Sequence, residues 1–400
     1  MLARLNRFRI TAYALAGLFV VLVSGGTWNA LRPLPTLTAS VGTLPSIHDS
    51  PVLAWPNAGE AAIGATGYGV LATSGPQRRL PTASVAKVVV SLAVLEKLPL
   101  KPGEQGPSFR IAAADVARYN DYVARDGSVV PVVLGEEITE YQALQALLLP
   151  SANNIADSLA IWVFGSLDNY FTYAQDMLQR LGMAQTALAI DASGLSPQTV
   201  STPEDLVKLG QAALSQPVLA QIVNQKVADL PVAGHVFNYN ALLGEHGIVG
   251  IKTGNSDEAG GCFLFAATYS INGTPVTIVG AVMGAADLTG ALRSSLPLLD
   301  SAQANFSIAT PVHKNDTLAT YTLPWGGQVQ AVAKTDISVL HWAGTPVTSE
   351  AKVQPIQGAL RQDAKVGKLQ VKAGPLQTST DLVIKNDVPA PSIWWRLTRH

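Results

Sequence analysis

The sequence predicts a mixed α/β (α+β) fold, in which an antiparallel sheet is flanked by helices and followed by a small C-terminal all-β domain. Helical spacing of apolar residues dominates the first half, as in segment 136–149. Three short apolar runs then follow: 247–251, 262–270 and 275–283. Asn272-Gly273 is a hairpin signal between the last two. Beyond Phe306 the helical pattern stops, and short β-type runs alternate with turn residues.

Composition describes a folded protein with ample core material. Of 400 residues, 48% are hydrophobic and 14% are charged, which suggests two or three domains. The formal net charge of -1 offers no basic field, so we expect no nucleic-acid partner. The single cysteine, Cys262, excludes an intrachain disulfide, and its place in an apolar strand predicts a small core residue. The six histidines are scattered, so we predict no metal site and no cofactor.

The N-terminus carries an export signal. Three arginines precede the apolar run 10–23: Arg4, Arg7 and Arg9. That run alone has the length of a signal-peptide core, and Ser24-x-Gly26 offers small residues for cleavage. Counted on to Trp28, the segment is nearly long enough to span a membrane. A cleaved signal peptide and a retained anchor both stay open, and either places the protein outside the cytoplasm, in the cell envelope.

We predict five segments along the chain. They are a signal peptide or anchor (1–30), a proline-rich linker (31–51), a catalytic domain (52–305), a β-rich accessory domain (306–390) and an aromatic, basic tail (391–400). The tail pairs Trp394 and Trp395 with cations. It is suited either to a membrane surface or to packing on the β-rich domain.

Within the predicted catalytic domain the elements follow from local signals. Alternating and β-branched residues predict a first strand over 60–73. Apolar periodicity predicts helices over 84–97, 109–118, 136–149, 155–163, 170–181 and 288–304. Pro150 ends the third of these, and Thr202-Pro203 is a strong start for another, with a capping hydroxyl and proline at the first helical position.

Three short motifs carry the chemistry. Ser84 and Lys87 are three residues apart at a predicted helix start, so the amine reaches the hydroxyl on one face. Ser151-x-Asn153 lies in a polar loop between two buried helices, and Lys252-Thr253-Gly254 lies at a predicted strand end. A serine with a lysine base needs no histidine for nucleophilic catalysis.

Copies of the same motifs elsewhere lack the required setting. Ser349-x-x-Lys352 lies in β-type sequence, where no helix stacks serine over lysine. Ser270-x-Asn272 belongs to the predicted hairpin. Only the first set has the order of a helix start, an interhelical loop and a strand.

With these motifs the chain resembles the low-molecular-weight penicillin-binding proteins, the serine D-alanyl-D-alanine carboxypeptidases. The likeness covers about residues 52–305 and is carried by four stretches: 81–87, 149–154, 191–196 and 250–260. It implies a β-lactamase-like transpeptidase fold and an enzyme of cell-wall biogenesis and cell shape. It also implies a peptidoglycan stem peptide as substrate and β-lactams as covalent inhibitors.

The resemblance also implies residue roles. Ser84 is the nucleophile and Lys87 its base, with Lys252 keeping Lys87 neutral. Ser151 bridges the two lysines and passes a proton to the leaving amine. The substrate-binding set is Asn153, Thr253, Gly254 and Asn255; the N–H groups of Ser84 and Asn255 form the oxyanion hole.

Departures from the pattern keep alternatives open. The middle motif is Ser-Ala-Asn, and Glu136 and Glu140 precede it, so no counterpart of a deacylating β-lactamase glutamate is found. Ala291 occupies the usual place of a carboxylate-binding arginine, with Arg293 nearby. The alternatives are a β-lactamase, a D,D-endopeptidase and a non-catalytic cell-wall binding or sensor protein.

Overall fold

The structure, a computed structural model, describes residues 2–399, with side chains from Arg7 onward. Met1 and His400, the outermost residues of the predicted signal segment and tail, lie outside the described residues. The chain divides into two compact units, Ser50–Ser307 and the combination of Met1–Asp49 with Ile308–His400.

The helices begin and end as follows: α1 (Leu2–Leu31), α2 (Lys87–Lys97), α3 (Ala113–Ala124), α4 (Glu140–Leu148), α5 (Asn153–Phe164), α6 (Leu167–Arg180), α7 (Pro203–Leu214), α8 (Pro217–Val223), α9 (Leu288–Ala304) and α10 (Ile393–Thr398). A 3-10 turn, Ala83–Ala86, leads into α2.

The strands are β1 (Ala39–Val41), β2 (Glu60–Ala65), β3 (Gly69–Ser74), β4 (Leu80–Pro81), β5 (Ser108–Arg110), β6 (Glu137–Thr139), β7 (Val200–Ser201), β8 (Val227–Leu230), β9 (Gly234–Phe237), β10 (Ile248–Ser256), β11 (Gly260–Ile271), β12 (Thr274–Ala285), β13 (Phe306–Val312), β14 (Thr317–Thr322), β15 (Gln328–Ala333), β16 (Ile337–Trp342), β17 (Val347–Val353), β18 (Lys365–Ala373) and β19 (Leu376–Ile384).

The unit Ser50–Ser307 is built on an antiparallel five-stranded sheet with the order β10-β11-β12-β2-β3. Strand β10 therefore lies at an edge. Helices α7 and α9 pack on the sheet, and α2 packs against α4, α5, α6 and α7. Every α2 residue from Lys87 to Leu95 is buried, as expected of a helix surrounded by protein on all sides. The first residue of the central helix is thus a buried lysine.

The predicted fold class is confirmed, and several elements match closely. Helix α9 begins and ends where the sequence predicts, and α2 ends at Lys97. The Thr202 hydroxyl accepts the Asp205 N–H at 3.1 Å, which caps α7. The turn at Asn272 and Gly273 joins β11 to β12, as expected of a hairpin.

Other predicted elements were wrong in detail. The single strand over 60–73 is a hairpin of β2 and β3, because positive φ at Gly67 and Gly69 turns the chain. The helix over 109–118 is strand β5 followed by α3. Strand β10 runs to Ser256, because it pairs with β11 over that whole length. Helix α8 and the β8–β9 hairpin had no predicted counterpart.

The second unit has its own β core. Its six-stranded sheet has the order β1-β14-β15-β19-β18-β17, and the residues buried between its elements include Leu369 and Val371. Strand β1, which comes from the predicted linker, pairs with β14. Residues 7–31 of α1 form one helix long and apolar enough to cross a membrane, with a mean hydropathy of 1.8, which is compatible with a signal sequence or an anchor. Helix α10 packs on α1.

Candidate active site

The serine and lysine of the first motif meet at the entry to α2. Ser84 is half-buried in the 3-10 turn, and Lys87 is fully buried. Lys87 Nζ lies 2.8 Å from Ser84 Oγ. Ala83, directly before the serine, has a φ of 44°, a left-handed conformation that costs a non-glycine residue about 1–3 kcal/mol. Strain of this kind collects at sites where the surrounding packing fixes an unusual geometry.

Two further oxygens surround the Lys87 amine. Lys87 Nζ donates to Asn153 Oδ1 at 2.7 Å and to the Ser193 carbonyl at 3.0 Å. A neutral amine has two N–H groups and one lone pair. With both N–H groups engaged by these acceptors, the lone pair is left for the Ser84 hydroxyl, which is the arrangement a general base needs.

Burial and the charge of Lys252 favour the neutral form of Lys87. Burial, followed by the positive charge of Lys252, holds the pKa of Lys87 well below its ordinary value, against the opposing pull of Asp191 and Asp157. Burial also lowers the pKa of Lys252 to about 7. The site therefore places an amine whose pKa is well below its ordinary value beside a second amine, Lys252, whose pKa is about 7.

The second motif joins the site through Asn153 rather than Ser151. Asn153 is the first residue of α5, and its backbone N–H donates to Ser128 O at 2.7 Å. Ser151 has a φ of 64°, and its buried Oγ has no hydrogen-bond partner among the residues that the structure describes. The bridge that we expected Ser151 to form between the two lysines is not made here. Lys87 contacts the side-chain oxygen of Asn153, Oδ1, instead.

The third motif lies within edge strand β10. Lys252 is buried and donates to its neighbouring Thr253 carbonyl at 3.0 Å. A Cβ at Gly254 would lie 2.8 Å from Thr82 O and 3.3 Å from Ser84 N, so glycine lets the strand approach the serine turn closely. Asn255 is exposed, and its Oδ1 accepts the Leu288 N–H. The free edge of β10 and the serine turn thus lie side by side.

A turn over 191–196 completes the site, and no role for it came from the sequence beyond family likeness. The Asp191 carboxylate accepts four hydrogen bonds, from Ser193 N, Ser193 Oγ, Leu195 N and Ser196 N. Gly194 has a φ of 79°, and a Cβ there would lie 2.2 Å from Ala83 O. A backbone carbonyl such as that of Ser193 has no side-chain signature, so only the fold reveals its contact with Lys87.

The motif copies lie outside the candidate site, as do Ala291, Arg293 and Glu140. Asn272 lies in the β11–β12 hairpin turn, and Ser349 lies in strand β17. Ala291 is fully buried in α9, whereas Arg293 is exposed on it. Glu140 is buried, with Gly106 beside its carboxylate.

Cys262 is fully buried in β11, and burial raises the pKa of its thiol to about 11, which suits a core residue. Among the residues that the structure describes, no cluster of three or more histidine, cysteine or acidic side chains is arranged to hold a metal ion.

Comparisons with known proteins agree on one family. The sequence profile of the family described as D-alanyl-D-alanine carboxypeptidase matches residues 60–287. The chain is 30% identical over 268 residues to a D-alanyl-D-alanine endopeptidase of Pseudomonas aeruginosa, covering 63% of this chain and 82% of the relative. It is 26% identical over 237 residues to a D-alanyl-D-alanine carboxypeptidase of Streptomyces sp. (strain K15), covering 54% and 77%.

A solved structure supports the fold. Penicillin binding protein 5 from Haemophilus influenzae is similar with a TM-score of 0.59 at 20% identity, over 86% of this chain and 99% of that one. The family profile alone spans more than half of the chain. This protein therefore belongs to the D-alanyl-D-alanine carboxypeptidase family of serine hydrolases.

Proposed function

We propose that this serine-type D-alanyl-D-alanine carboxypeptidase removes the terminal D-alanine of peptidoglycan stem peptides through an acyl-enzyme on Ser84. The observation that carries this is the buried Lys87 amine, which lies 2.8 Å from Ser84 Oγ and has two further acceptors, Asn153 Oδ1 and the Ser193 carbonyl, for its N–H groups. β-Lactams, whose strained amide stands in for the D-alanyl-D-alanine bond, would acylate the same hydroxyl.

In acylation, the Ser84 hydroxyl proton passes to Lys87 Nζ as Oγ attacks the carbonyl between the two D-alanines. The negative charge that develops on the carbonyl oxygen needs preorganised donors. The backbone N–H groups of Ser84 and Asn255 are our candidates. Gly254 supports this choice, because its close approach brings the free edge of β10 against the serine turn.

The intermediate then collapses by breaking the C–N bond, and the leaving D-alanine amine takes up a proton. We assign this delivery to Ser151, whose buried Oγ is uncommitted: the hydroxyl gives its proton to the amine and takes up the proton that Lys87 received from Ser84, so Lys87 is neutral again. Lys252 and Thr253 bind the substrate's terminal carboxylate, and the Asn153 amide NH2 group contacts the substrate backbone. A water molecule finally attacks the acyl carbonyl, releasing the shortened peptide and restoring Ser84.

The glutamates weigh against a β-lactamase. The Glu136 carboxylate accepts backbone N–H groups of Val133 and Val232, and Glu140 is buried beside Gly106. Neither has a contact with Ser84. Slow deacylation of a penicillin is the consequence that we expect.

The test follows D-alanine release from a pentapeptide beside the mass of the enzyme after penicillin treatment. We expect release of D-alanine and a persistent adduct on the tryptic peptide that ends at Lys87 and contains Ser84. Rapid penicillin turnover without an adduct would identify a β-lactamase. Cleavage of cross-linked dimers without release from the pentapeptide would identify an endopeptidase, and an enzyme inert in every assay would identify a binding protein.

We also propose that α1 is retained as a membrane anchor rather than cleaved. The Arg399 guanidinium donates to the Asn29 carbonyl in the last turn of α1 at 2.7 Å and to the Pro33 carbonyl just beyond the helix at 3.1 Å. Asn29 Nδ2 in turn donates to Leu397 O at 3.4 Å. Cleavage after Gly26 would remove most of the helix on which α10 packs.

The exposed aromatic residues support the same assignment. Trp28, near the end of α1, is 70% exposed, and Trp394 on α10 is 72% exposed. Tryptophan is enriched where a membrane meets water. Intact-mass analysis of protein from the membrane fraction tests the proposal: we expect a chain that still carries residues 1–26. A mature chain that begins after Gly26 would overturn it.

A further inference from the structure

One buried carboxylate contacts the surroundings of the proposed base and takes no part in the steps above. Asp157 is buried on α5, four residues after Asn153, so the two side chains point to the same side of the helix. Asn153 contacts Lys87 directly. Asp157 contacts the turn that supplies the other acceptor of Lys87.

The contacts of Asp157 are specific and use both of its oxygens. Asp157 Oδ1 accepts the Ala192 N–H at 2.8 Å, and Oδ2 accepts the Tyr122 hydroxyl at 2.7 Å. Tyr122 is itself buried, on α3. A buried carboxylate with both oxygens bonded is held in one orientation, so it fixes the Ala192 amide in turn.

The Ala192 amide lies one residue before the carbonyl that receives Lys87. On the other side, Asp191 Oδ1 accepts both Ser193 N and Ser193 Oγ. The backbone that leads to the Ser193 carbonyl is thus held by two carboxylates, Asp157 on α5 at Ala192 N–H and Asp191 within the turn at Ser193 N–H. Any rotation of the peptide units around Ala192 would move this acceptor away from Lys87 Nζ.

We propose that Asp157, supported by Tyr122, is a positioning residue for the general base, holding the Ser193 carbonyl so that the Lys87 lone pair faces Ser84. The inference rests on the proposed role of Lys87. Asp157 does not touch the nucleophile. It acts through the 191–196 turn and through its charge.

The charges that face these groups set the sign of the pH effect. Lys87 is faced by Lys252, Asp191 and Asp157, and both aspartates raise its pKa. Asp157 is faced by Tyr122, Asp191 and Arg118; burial is the largest effect on its pKa, which is raised. Buried Tyr170 also feels both aspartates. Removing the charge of Asp157 therefore lowers the pKa of Lys87 further, and Lys87 stays neutral at lower pH.

The experiment measures the second-order rate of penicillin acylation against pH for the full chain. Asp157→Asn keeps an acceptor for the Ala192 N–H but loses the charge. We expect the rise of its rate at acidic pH, the acid limb of the profile, to move to lower pH by at least about 0.3 unit. Its maximal rate, the plateau, should stay close to that of wild type. Asp157→Ala also loses the acceptor, and we expect a plateau about tenfold to a hundredfold lower. Tyr122→Phe loses one support, so its plateau falls less.

Controls separate positioning from folding and from the proposed function itself. Asp121→Asn removes an exposed carboxylate of α3 that pairs with Arg125, and its acid limb should not move. Rates are expressed per active site, so that a lower yield of folded Asp157→Ala protein is not mistaken for slower acylation. An unmoved acid limb in Asp157→Asn, or a wild-type plateau in folded Asp157→Ala, overturns the inference. Unchanged acylation by Lys87→Arg overturns instead the role of Lys87.

Discussion

The protein contains the same four-residue pattern twice, in two regions with opposite outcomes. Ser84 and Lys87 lie at a helix entry, where the lysine is fully buried and its amine is 2.8 Å from the hydroxyl. Ser349 and Lys352 lie in strand β17. There the Ser349 hydroxyl donates to the Pro45 carbonyl at 2.8 Å, and the Lys352 side chain is 71% exposed.

The difference follows from backbone geometry and burial. Residues three apart share a face in a helix but point to opposite faces of a strand, so the second pair cannot meet. Lys352 is also exposed to solvent, and its Nζ lies 3.6 Å from a Glu350 carboxylate oxygen. A Ser-x-x-Lys pattern is therefore informative only with its structural setting.

The largest difference between the regions should appear when each serine is removed. We expect Ser84→Ala to lose acylation by penicillin at least about 10⁴-fold, because the variant lacks the hydroxyl that lies 2.8 Å from the Lys87 amine. Ser349→Ala should acylate as fast as wild type. Intact-mass analysis after penicillin measures both. An adduct of normal yield on Ser84→Ala would end the assignment of the first pair.

Replacing each lysine by arginine tests the base while keeping the positive charge. Lys87→Arg should lose about 10²–10⁴-fold in D-alanine release, because a guanidinium does not give up its proton near neutral pH. Lys352→Arg should change nothing, since Lys352 is solvent-exposed. Equal losses in the two variants would point to a general effect on folding rather than to a base.

A substitution at Gly194 tests the packing around the Ser84–Lys87 pair. Gly194→Ala places a Cβ 2.2 Å from Ala83 O at a φ of 79°, so we expect a loss of about 3 kcal/mol in the free energy of unfolding and slower acylation. Gly182→Ala is the matched control: its φ is 71°, but nothing lies within 4 Å. That variant should lose only the cost of the left-handed backbone, about 1 kcal/mol. Equal losses would show that the contact with Ala83 is unimportant.

The pH dependence of the rate tests whether a second buried lysine, Lys252, acts beside the Ser84–Lys87 pair, a neighbour that exposed Lys352 lacks among its described contacts. The rate should rise with pH while Lys87 loses its proton, at a pKa well below the ordinary lysine value. It should fall above pH about 7 as Lys252, whose pKa is about 7, loses the charge that binds the substrate carboxylate. Lys252→Arg stays charged, so kcat/KM should lose this falling limb, which otherwise costs about tenfold per pH unit. The same falling limb in that variant would exclude Lys252 as its cause.

The sequence by itself determined the family, the serine-hydrolase class and most helices of the unit Ser50–Ser307. Helix α9, the cap at Thr202 and the hairpin at Asn272 follow from local rules, because periodicity, capping hydroxyls and turn residues act over a few neighbours. The proximity of Ser84 and Lys87, our proposed nucleophile and base, follows from helical spacing in the same way.

Only the tertiary structure decided what surrounds Lys87. The Ser193 carbonyl contacts its amine across 106 positions of the chain, and Asp157 on α5 accepts the N–H of the preceding residue, Ala192. Backbone acceptors carry no sequence signature, and the low pKa of Lys87 comes from burial and from the charge of Lys252 on a distant strand. The sequence therefore predicts that a serine and an amine lie together, and burial by the rest of the fold lowers the pKa of that amine.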